Sequence, residues 1–220
     1  LHRQLRDIEH DLPDHYDWIG EGRAGGIRDE FCAIFFDTRR LAVLESGNFW
    51  LSDTPDVAGS RSWGNRTVRM ATWTRFRDRH TGTELAVVNT HFDNVSESSR
   101  VRSAELVRDR INALPPELPV ILTGDFNTPA GQSAAYTVLV DGARLTDTWI
   151  AAPEWRSPLY ATWHGYEPLV PDGTRIDWTL TRGSLTVEAA GINTFSRDGQ
   201  FPSDHLPIQA LLTIGRDRLS

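Results

Sequence analysis

The amino-acid sequence predicts a layered α/β domain whose sheets are mixed or mainly antiparallel. Strand-like segments outnumber helical ones, and residues 68–76 and 84–89 flank the turn-like stretch RDRHTG, which indicates an antiparallel hairpin. Residues 98–114 carry apolar side chains at intervals of three and four and end at a double proline, which indicates an amphipathic helix. The sequence shows no repeat, low-complexity tract or linker, so we expect a single domain over residues 1–220.

The remaining elements follow from the same two periodicities. Apolar residues recur at helical spacing between Leu1 and Leu12 and are followed by a proline, which predicts a short amphipathic helix. Residues 134–140 are also predicted to be helical. Short apolar runs bounded by turn residues predict strands at residues 31–36, 41–44, 48–51, 119–122, 175–180, 185–192 and 207–214.

The charge balance limits the classes of partner. The 220 residues include 23 basic and 30 acidic side chains, a net charge of −7. No chain-wide positive field therefore exists to attract duplex nucleic acid or an anionic membrane surface. No apolar run approaches the ~20 residues needed to cross a bilayer. We expect a monomer with no membrane span and no strong binding to duplex nucleic acid; a cytoplasmic and a secreted location both stay open.

The cysteine content excludes two further classes of site. Cys32 is the only cysteine, so neither an internal disulfide nor a cysteine-based metal site can form. It lies in the apolar run FCAIFF, where we expect a small buried hydrophobic residue.

Polar residues with metal-binding or acid–base chemistry occur where four of the predicted strands end. Loops at strand ends commonly carry catalytic groups, because the scaffold fixes their geometry. Carboxylate oxygens suit Mg²⁺ or Mn²⁺, and an imidazole held by a carboxylate is a donor or base near neutral pH. The segments are VVNTHFD with His91, VILTGDFN with Asp125 and Asn127, TRIDWTL with Asp177, and FPSDHLPI with Asp204 and His205.

Each of these segments also has a structural interpretation. Asp125 is a candidate Asx-turn residue, and His91 a candidate core histidine. Asp177 could pair with Arg175, and the Asp-His pair near the end of the chain could form a surface turn. The conjunction of all four segments favours a site for hydrolysis of phosphate esters, because that reaction needs a bound cation, an oriented water and charge stabilisation.

The motifs NTHFD (89–93), GDFN (124–127), RIDW (175–178) and SDHLP (203–207) together resemble the endonuclease/exonuclease/phosphatase superfamily, in the family order. The resemblance implies a four-layer α/β sandwich of two packed, mainly antiparallel sheets with outer helices. It also implies a hydrolase of phosphate esters that depends on Mg²⁺ or Mn²⁺. The stretches WIGEGR, DEFCAIFF, LTDTW and TWHGY are similar to a bacterial branch of small, stand-alone members.

The resemblance also implies a role for each motif residue. Asp125 resembles the residue that orients or activates water and contacts the metal, and Asn127 its partner at the nucleophile and phosphate. His91 resembles the donor to a phosphate oxygen or the leaving group. Asp204 resembles a metal ligand, and His205, supported by Asp177, the base or transition-state-stabilising histidine.

Two features of the family pattern are not found. The family carries an Asn on its first strand and a Gln-Glu pair on its second, whose Glu is a principal metal ligand. We therefore expect a domain truncated at its N-terminus, with weak metal binding and slow turnover. Glu30 is a candidate contact that could orient His91, or else a solvated residue at the start of a strand.

The sequence says less about the substrate than about the reaction. Arg100 and His164 are candidate substrate contacts, with an ordinary helix surface and a loop packed by aromatic residues as the alternatives. The negative net charge favours a phosphorylated small molecule or a short oligonucleotide end over long duplex DNA. The alternative functions are a nuclease acting on DNA or RNA, and a catalytically silent module that binds phosphate.

Overall fold

The computed structural model describes residues 1–215. Within this part of the chain there are four helices and ten strands. The helices are α1 (His2–Asp11), α2 (Glu97–Asn112), α3 (Ala134–Val140) and α4 (Thr148–Ala151). The strands are β1 (Tyr16–Ile19), β2 (Ile34–Asp37), β3 (Leu41–Trp50), β4 (Met70–Asp78), β5 (Glu84–His91), β6 (Val120–Asp125), β7 (Thr146–Asp147), β8 (Asp177–Arg182), β9 (Leu185–Ile192) and β10 (Ile208–Ile214).

Six strands form one mixed sheet in the order β3-β4-β5-β6-β8-β7. β5 and β6 are parallel, and the other pairs are antiparallel. The parallel pair follows from the crossover through α2, since a parallel connection needs a long excursion between the strands. β1 pairs with β2 and β9 with β10, as two separate antiparallel ladders. The predicted mixed and mainly antiparallel character is confirmed.

The large sheet is covered on both faces. Side chains of β5 and β6 alternate between the faces, as strand geometry requires. On one face they pack against α2 and α3, and on the other against β2 and the end of β10. The first set is Ala86, Val88, Val120 and Leu122, and the second is Leu85, Val87 and Ile121. The predicted sandwich is confirmed, with its second sheet divided into two ladders.

Helix α2 begins and ends close to the predicted bounds. The Ser96 hydroxyl accepts a hydrogen bond from the Ser99 N–H and caps the first turn. Ala104, Val107 and Ile111 lie on the buried face at helical spacing. The amphipathic pattern in the sequence therefore corresponds to packing against the sheet.

The differences from the sequence prediction lie in short or polar elements. β3 is one continuous strand where two were expected, because the polar residues 45–48 stay paired with β4 past a register shift after Val43. β7 and α4 have two and four residues and were not predicted. Elements this short show too little periodicity to be recognised.

Two further expectations are confirmed. Cys32 is buried, its Sγ lies 3.5 Å from the carbonyl oxygen of Met70, and burial raises the pKa of the thiol to about 12. Among residues 1–215, no helix is both long and apolar enough to cross a bilayer.

Leu122 gives a test of the central core. Its side chain is 0% exposed in β6, so Leu122→Ala should lower the free energy of unfolding by about 2–5 kcal/mol through lost burial and a cavity. Urea denaturation measures the change. The control is Leu211→Ala on β10, where the side chain is 58% exposed and the loss should stay within about 0.5 kcal/mol. Equal losses in the two variants would contradict the described core.

Candidate active site

The hydrogen-bonded register of three strands aligns three of the predicted site residues. His91 at the end of β5 pairs with Asp125 at the end of β6, and Asp125 pairs with Asp177 at the start of β8. Paired residues project from the same face, and neighbouring strands lie about 4.8 Å apart. The sheet therefore brings the three side chains into one row, on the face opposite the helices.

Gly124 allows the close approach of β5 and β6 beside this row. A Cβ atom at this position would clash with the carbonyl oxygen of Thr90 on β5. Strand packing alone therefore explains the glycine of the GDFN motif, independently of any chemistry at the site.

Asp125 is the most extensively hydrogen-bonded carboxylate in the row. Its Oδ1 accepts the Asn127 backbone N–H at 2.8 Å, and its Oδ2 accepts the Asn127 amide at 3.1 Å. His91 Nε2 lies 3.2 Å from Oδ2. Burial raises the pKa of Asp125, but the bond and charge of His91, the Asn127 N–H and the charge of His205 outweigh it, and the pKa is lowered. Asp125 is therefore ionised at neutral pH.

Asn127 owes its position to a left-handed backbone conformation, with φ of 51°. Asparagine tolerates this conformation better than most residues. The turn directs its side chain back along the strand end, where Nδ2 also donates to the carbonyl oxygen of Phe92 at 3.0 Å. Both amide hydrogens then have acceptors, and Oδ1 of this cleft residue is left as the available acceptor.

His205 is held by Asp177. His205 Nδ1 donates to Asp177 Oδ2 at 2.9 Å, and its Nε2 lies 3.9 Å from Asp125 Oδ2, which is too long for a hydrogen bond. Burial lowers the pKa of His205, but the hydrogen bond and charge of Asp177, with the charges of Asp125 and Asp204, raise it above its usual value. The pair fixes both the orientation and the charge preference of this imidazole.

Thr162 connects the two segments that carry this pair. Its buried hydroxyl accepts the backbone N–H groups of Ile176 at 2.9 Å and Asp177 at 3.1 Å. Its carbonyl oxygen accepts the N–H of Leu206 at 2.7 Å. One residue thus positions both the start of β8 and the loop that presents His205.

Two further predicted residues, Glu30 and Asp204, lie in one open cleft of about 600 Å³. Glu30, Asp204 and Trp163 line it together with His91, Asp125, Asn127 and His205. Glu30 Oε2 lies 3.8 Å from His91 Nδ1 and accepts a hydrogen bond from Arg23 at 2.8 Å. Glu30 is therefore positioned beside His91, as the sequence suggested.

The donor set fits a divalent cation. One ligand atom each from Asp125, Asp177 and His205 lies within 4.8 Å of the others, and two carboxylates with an imidazole suit Mg²⁺ or Mn²⁺. Asp204, predicted as a ligand with Asp125, lies in the same cleft but outside this group. Within residues 1–215 the structure thus adds Asp177 to the candidate ligands and leaves Asp204 in the cleft lining outside this group.

The other two candidate substrate contacts have structural partners instead. The guanidinium of Arg100 donates to Glu97 at 2.6 and 2.9 Å and to the carbonyl oxygen of Asp93 at 2.9 Å. His164 is buried, with its ring nitrogens 3.3 and 3.1 Å from the carbonyl oxygens of Glu167 and Ser203. These contacts commit both side chains to holding the local backbone, so the structure does not support the predicted substrate contacts.

Several cleft residues were not predicted. They are Arg23, Arg66, Thr67, Arg69 and Asn94. The strand pattern around residue 69 indicates only an ordinary surface arginine, and its burial depends on packing with distant segments. A charged residue within the predicted strand 68–76 was the one available signal.

Fold and site together define the class, which is the pancreatic-deoxyribonuclease-like α/β proteins. The chain belongs to the endonuclease/exonuclease/phosphatase family, whose model matches residues 3–205. Members of this family hydrolyse phosphoesters. The resemblance noted from the motifs is confirmed.

Two solved bacterial structures match nearly the whole chain. An endonuclease/exonuclease/phosphatase from Bacteroides vulgatus is 33% identical with a TM-score of 0.90, and the match covers 98% of this chain and 82% of the other. The mannosyl-6-phosphatase of Bacteroides thetaiotaomicron is 33% identical with a TM-score of 0.87, over 96% and 81% of the two chains.

One curated relative is a viral protein. An uncharacterised protein of Acanthamoeba polyphaga mimivirus is 32% identical over 123 residues, which are 54% of this chain and 45% of that protein. This chain therefore spans less than half the length of the viral relative.

Thr162→Val should destabilise the fold. The variant keeps the shape of the side chain but leaves the N–H groups of Ile176 and Asp177 without their acceptor, at a cost of about 1–3 kcal/mol. Urea denaturation measures the difference, with Thr54→Val at an exposed threonine as the control. A variant as stable as the parent would show that the hydroxyl does not carry this connection.

Asp177→Asn should lower the pKa of His205, because burial then acts without the carboxylate that opposes it. Proton NMR titration of the metal-free protein measures this pKa, and Asp14→Asn at an exposed position is the control. In the parent the raised pKa stabilises the fold below pH about 6.5, and this contribution is lost as the pH rises through the folded-state pKa. The variant should lose that pH dependence; an unchanged His205 titration would contradict the pairing.

Proposed function

We propose that this protein is a divalent-metal-dependent hydrolase of phosphate esters that attacks its substrate with an activated water molecule and acts as a monomer. The observation that carries the proposal is the arrangement of Asp125. This ionised carboxylate is held by His91 and Asn127 in an open cleft, beside a histidine that is itself held by Asp177. Hydrolysis requires a water molecule, an ionised carboxylate to orient it, and a second acid–base group within reach.

In this mechanism Asp125 and Asn127 orient the water. The lowered pKa makes Asp125 a weak base, so its contribution is to accept a hydrogen bond from the water and fix its direction. The Oδ1 atom of Asn127 is the second acceptor, because both hydrogens of its amide already have partners. Two acceptors at one strand end direct the oxygen lone pair of the water toward the cleft.

The two histidines handle charge on the substrate. His205 uses Nδ1 for Asp177, so its Nε2 is the atom that can exchange a proton or donate to a phosphate oxygen. His91 uses Nε2 for Asp125, so Nδ1 is the atom that can donate to the phosphate when the ring is protonated. Both donors act where negative charge develops in the transition state.

A divalent cation held by Asp125 with Asp177 or Asp204 would neutralise charge on the phosphate and increase the acidity of a bound water. Such a cation would also allow an anionic substrate to approach the carboxylates. Ionised acids gathered in one cleft repel an approaching phosphate unless a cation offsets their charge.

The substrate class is a small phosphorylated molecule, with a short oligonucleotide end as the less favoured case. The net charge of −7 disfavours long polyanions. A relative that is 33% identical over 96% of this chain is a mannosyl-6-phosphatase by name, which supports a sugar phosphate or a similarly compact ester.

The test is hydrolysis of p-nitrophenyl phosphate and bis-p-nitrophenyl phosphate with Mg²⁺ or Mn²⁺, and with EDTA in place of the metal. Asp125→Asn should reduce kcat by at least about 100-fold, since it removes the carboxylate charge that orients the water. Asp14→Asn, at an exposed acid, serves as the matched control for the loss of one negative charge. EDTA should abolish the activity of both the parent and the control.

The remaining outcomes separate the alternatives. Cleavage of oligonucleotides at a higher kcat/KM than either small ester would establish a nuclease instead. Binding of inorganic phosphate without turnover of any ester would establish a catalytically silent binding module. Activity that is equal in the parent and in Asp125→Asn would overturn the assignment of the site.

A further inference from the structure

The cleft has a second wall, built by the segment that leads into β4. Arg66, Thr67 and Arg69 line the cleft from this segment and are called the 66–69 wall below. β4 and β5 pair through Ala71 and Thr90, so the residue before β4 lies at the same end of the sheet as His91. His91 therefore separates the 66–69 wall from the row that continues to Asp125 and Asp177.

Arg69 is a buried cation with an incomplete set of partners. The residue is 4% exposed, its Nη2 donates to the neutral amide of Asn94 at 3.3 Å, and its Nε forms no hydrogen bond in the described part of the chain. Asp93 Oδ2 lies 3.8 Å from Nε, which is too long for a hydrogen bond. An unpaired donor on a buried charge is costly, and native structures rarely leave one without a reason.

The carboxylate of Asp93 has other commitments. It accepts the backbone N–H groups of Val95 and Ser96 at 3.0 and 2.9 Å, and that of Arg66 at 3.0 Å. These bonds hold the loop before α2 to the loop before β4. Asp93 keeps its negative charge beside Arg69, but the backbone takes up its hydrogen-bonding capacity, so the Nε donor of Arg69 stays without a hydrogen bond among the described residues.

Of the other two residues of the wall, Arg66 presents an accessible donor. The Thr67 hydroxyl is buried and has no hydrogen-bond partner among residues 1–215. Arg66 is exposed, and within those same residues its guanidinium has no carboxylate within 4.0 Å. Arg23, across the cleft, is different, since it is neutralised by Asp29 at 3.1 Å and Glu30 at 2.8 Å.

We propose that the 66–69 wall is a subsite for a second phosphate group, carried on the same molecule as the phosphate that is hydrolysed. The inference rests on the proposed function and adds the substrate class, which is a compact bisphosphorylated molecule. The wall offers the guanidinium groups of Arg66 and Arg69, and Glu30, the acid that lines the cleft beside Arg69, is paired with Arg23. The carboxylates of Asp125 and Asp204 in the rest of the cleft repel a second anion.

The spacing restricts the distance between the two phosphates. β4 and β6 are two strand spacings apart, which is roughly 10 Å. Two phosphates joined by a single oxygen are too close to reach both places. A linker of several bonds, such as a short polyol or a sugar, matches the span.

The test compares butane-1,4-diol bisphosphate with butyl phosphate as substrates in the presence of Mg²⁺. The parent should show a lower KM for the bisphosphate. Arg66→Gln should raise KM for the bisphosphate by on the order of tenfold more than KM for butyl phosphate, since one charged hydrogen bond is lost. Arg156→Gln is the matched control, because this exposed arginine pairs with Glu154 and lies outside the cleft lining.

Arg69→Gln should likewise raise KM for the bisphosphate more than KM for butyl phosphate. Because Arg69 is buried, thermal unfolding of Arg69→Gln is measured first to show that the variant folds. If it does not fold, the test rests on Arg66→Gln, which changes an exposed residue. Equal changes in KM for both substrates, in either folded variant, would overturn the subsite.

Calorimetric binding separates this inference from the proposed function. If no ester is turned over, the affinities of the parent and Arg66→Gln for the same two compounds are measured with Mg²⁺ present. Tighter binding of the bisphosphate that is lost in Arg66→Gln would support the subsite although the hydrolase proposal failed. Equal affinity for the two compounds in the parent would overturn the subsite, whether or not the protein is a hydrolase.

Discussion

The backbone register of β5, β6 and β8 is the constraint on which the site depends. It sets His91, Asp125 and Asp177 side by side before any side-chain interaction is made. A slip of one residue in any of these strands would turn its site residue to the helix-covered face. Gly124 and the apolar side chains of β5 and β6 hold the register, so the stability of the core and the geometry of the site have the same origin.

Around this row, hydrogen bonds decide what each polar group can still do. Asp125 is ionised, and both of its oxygens accept hydrogen bonds from Asn127. The amide of Asn127 has acceptors for both of its hydrogens. Each histidine has one ring nitrogen next to a carboxylate oxygen. His91, Asp125, Asn127 and His205, which carry the remaining free atoms, all line the open cleft. The cleft is lined by charges of both signs, the acids being Glu30, Asp125 and Asp204 and the arginines Arg23, Arg66 and Arg69. A ligand with one phosphate uses only part of that surface.

The sequence predicted those parts of the structure that strong local patterns encode. The apolar runs ending in His91, Asp125 and Asp177 are strands, and the structure brings their polar ends together, because a sheet with this strand order must align them. Local patterns could not show how the loops fold back. His164 and Arg100 look available in the sequence, but contacts with the backbone occupy them. Arg69 looks like a surface residue, and only packing of the loops before β4 and α2 buries it.

The chemistry of Cys32 makes the rim of the cleft open to site-specific labelling. Its thiol is the only one in the chain and is buried, and burial raises its pKa to about 12, so little reactive thiolate is present near neutral pH. A cysteine introduced at Trp163, which is exposed on the rim of the cleft, would then be the single reactive group. A fluorophore or spin label attached there would report on the rim alone, without first removing a native residue from the core.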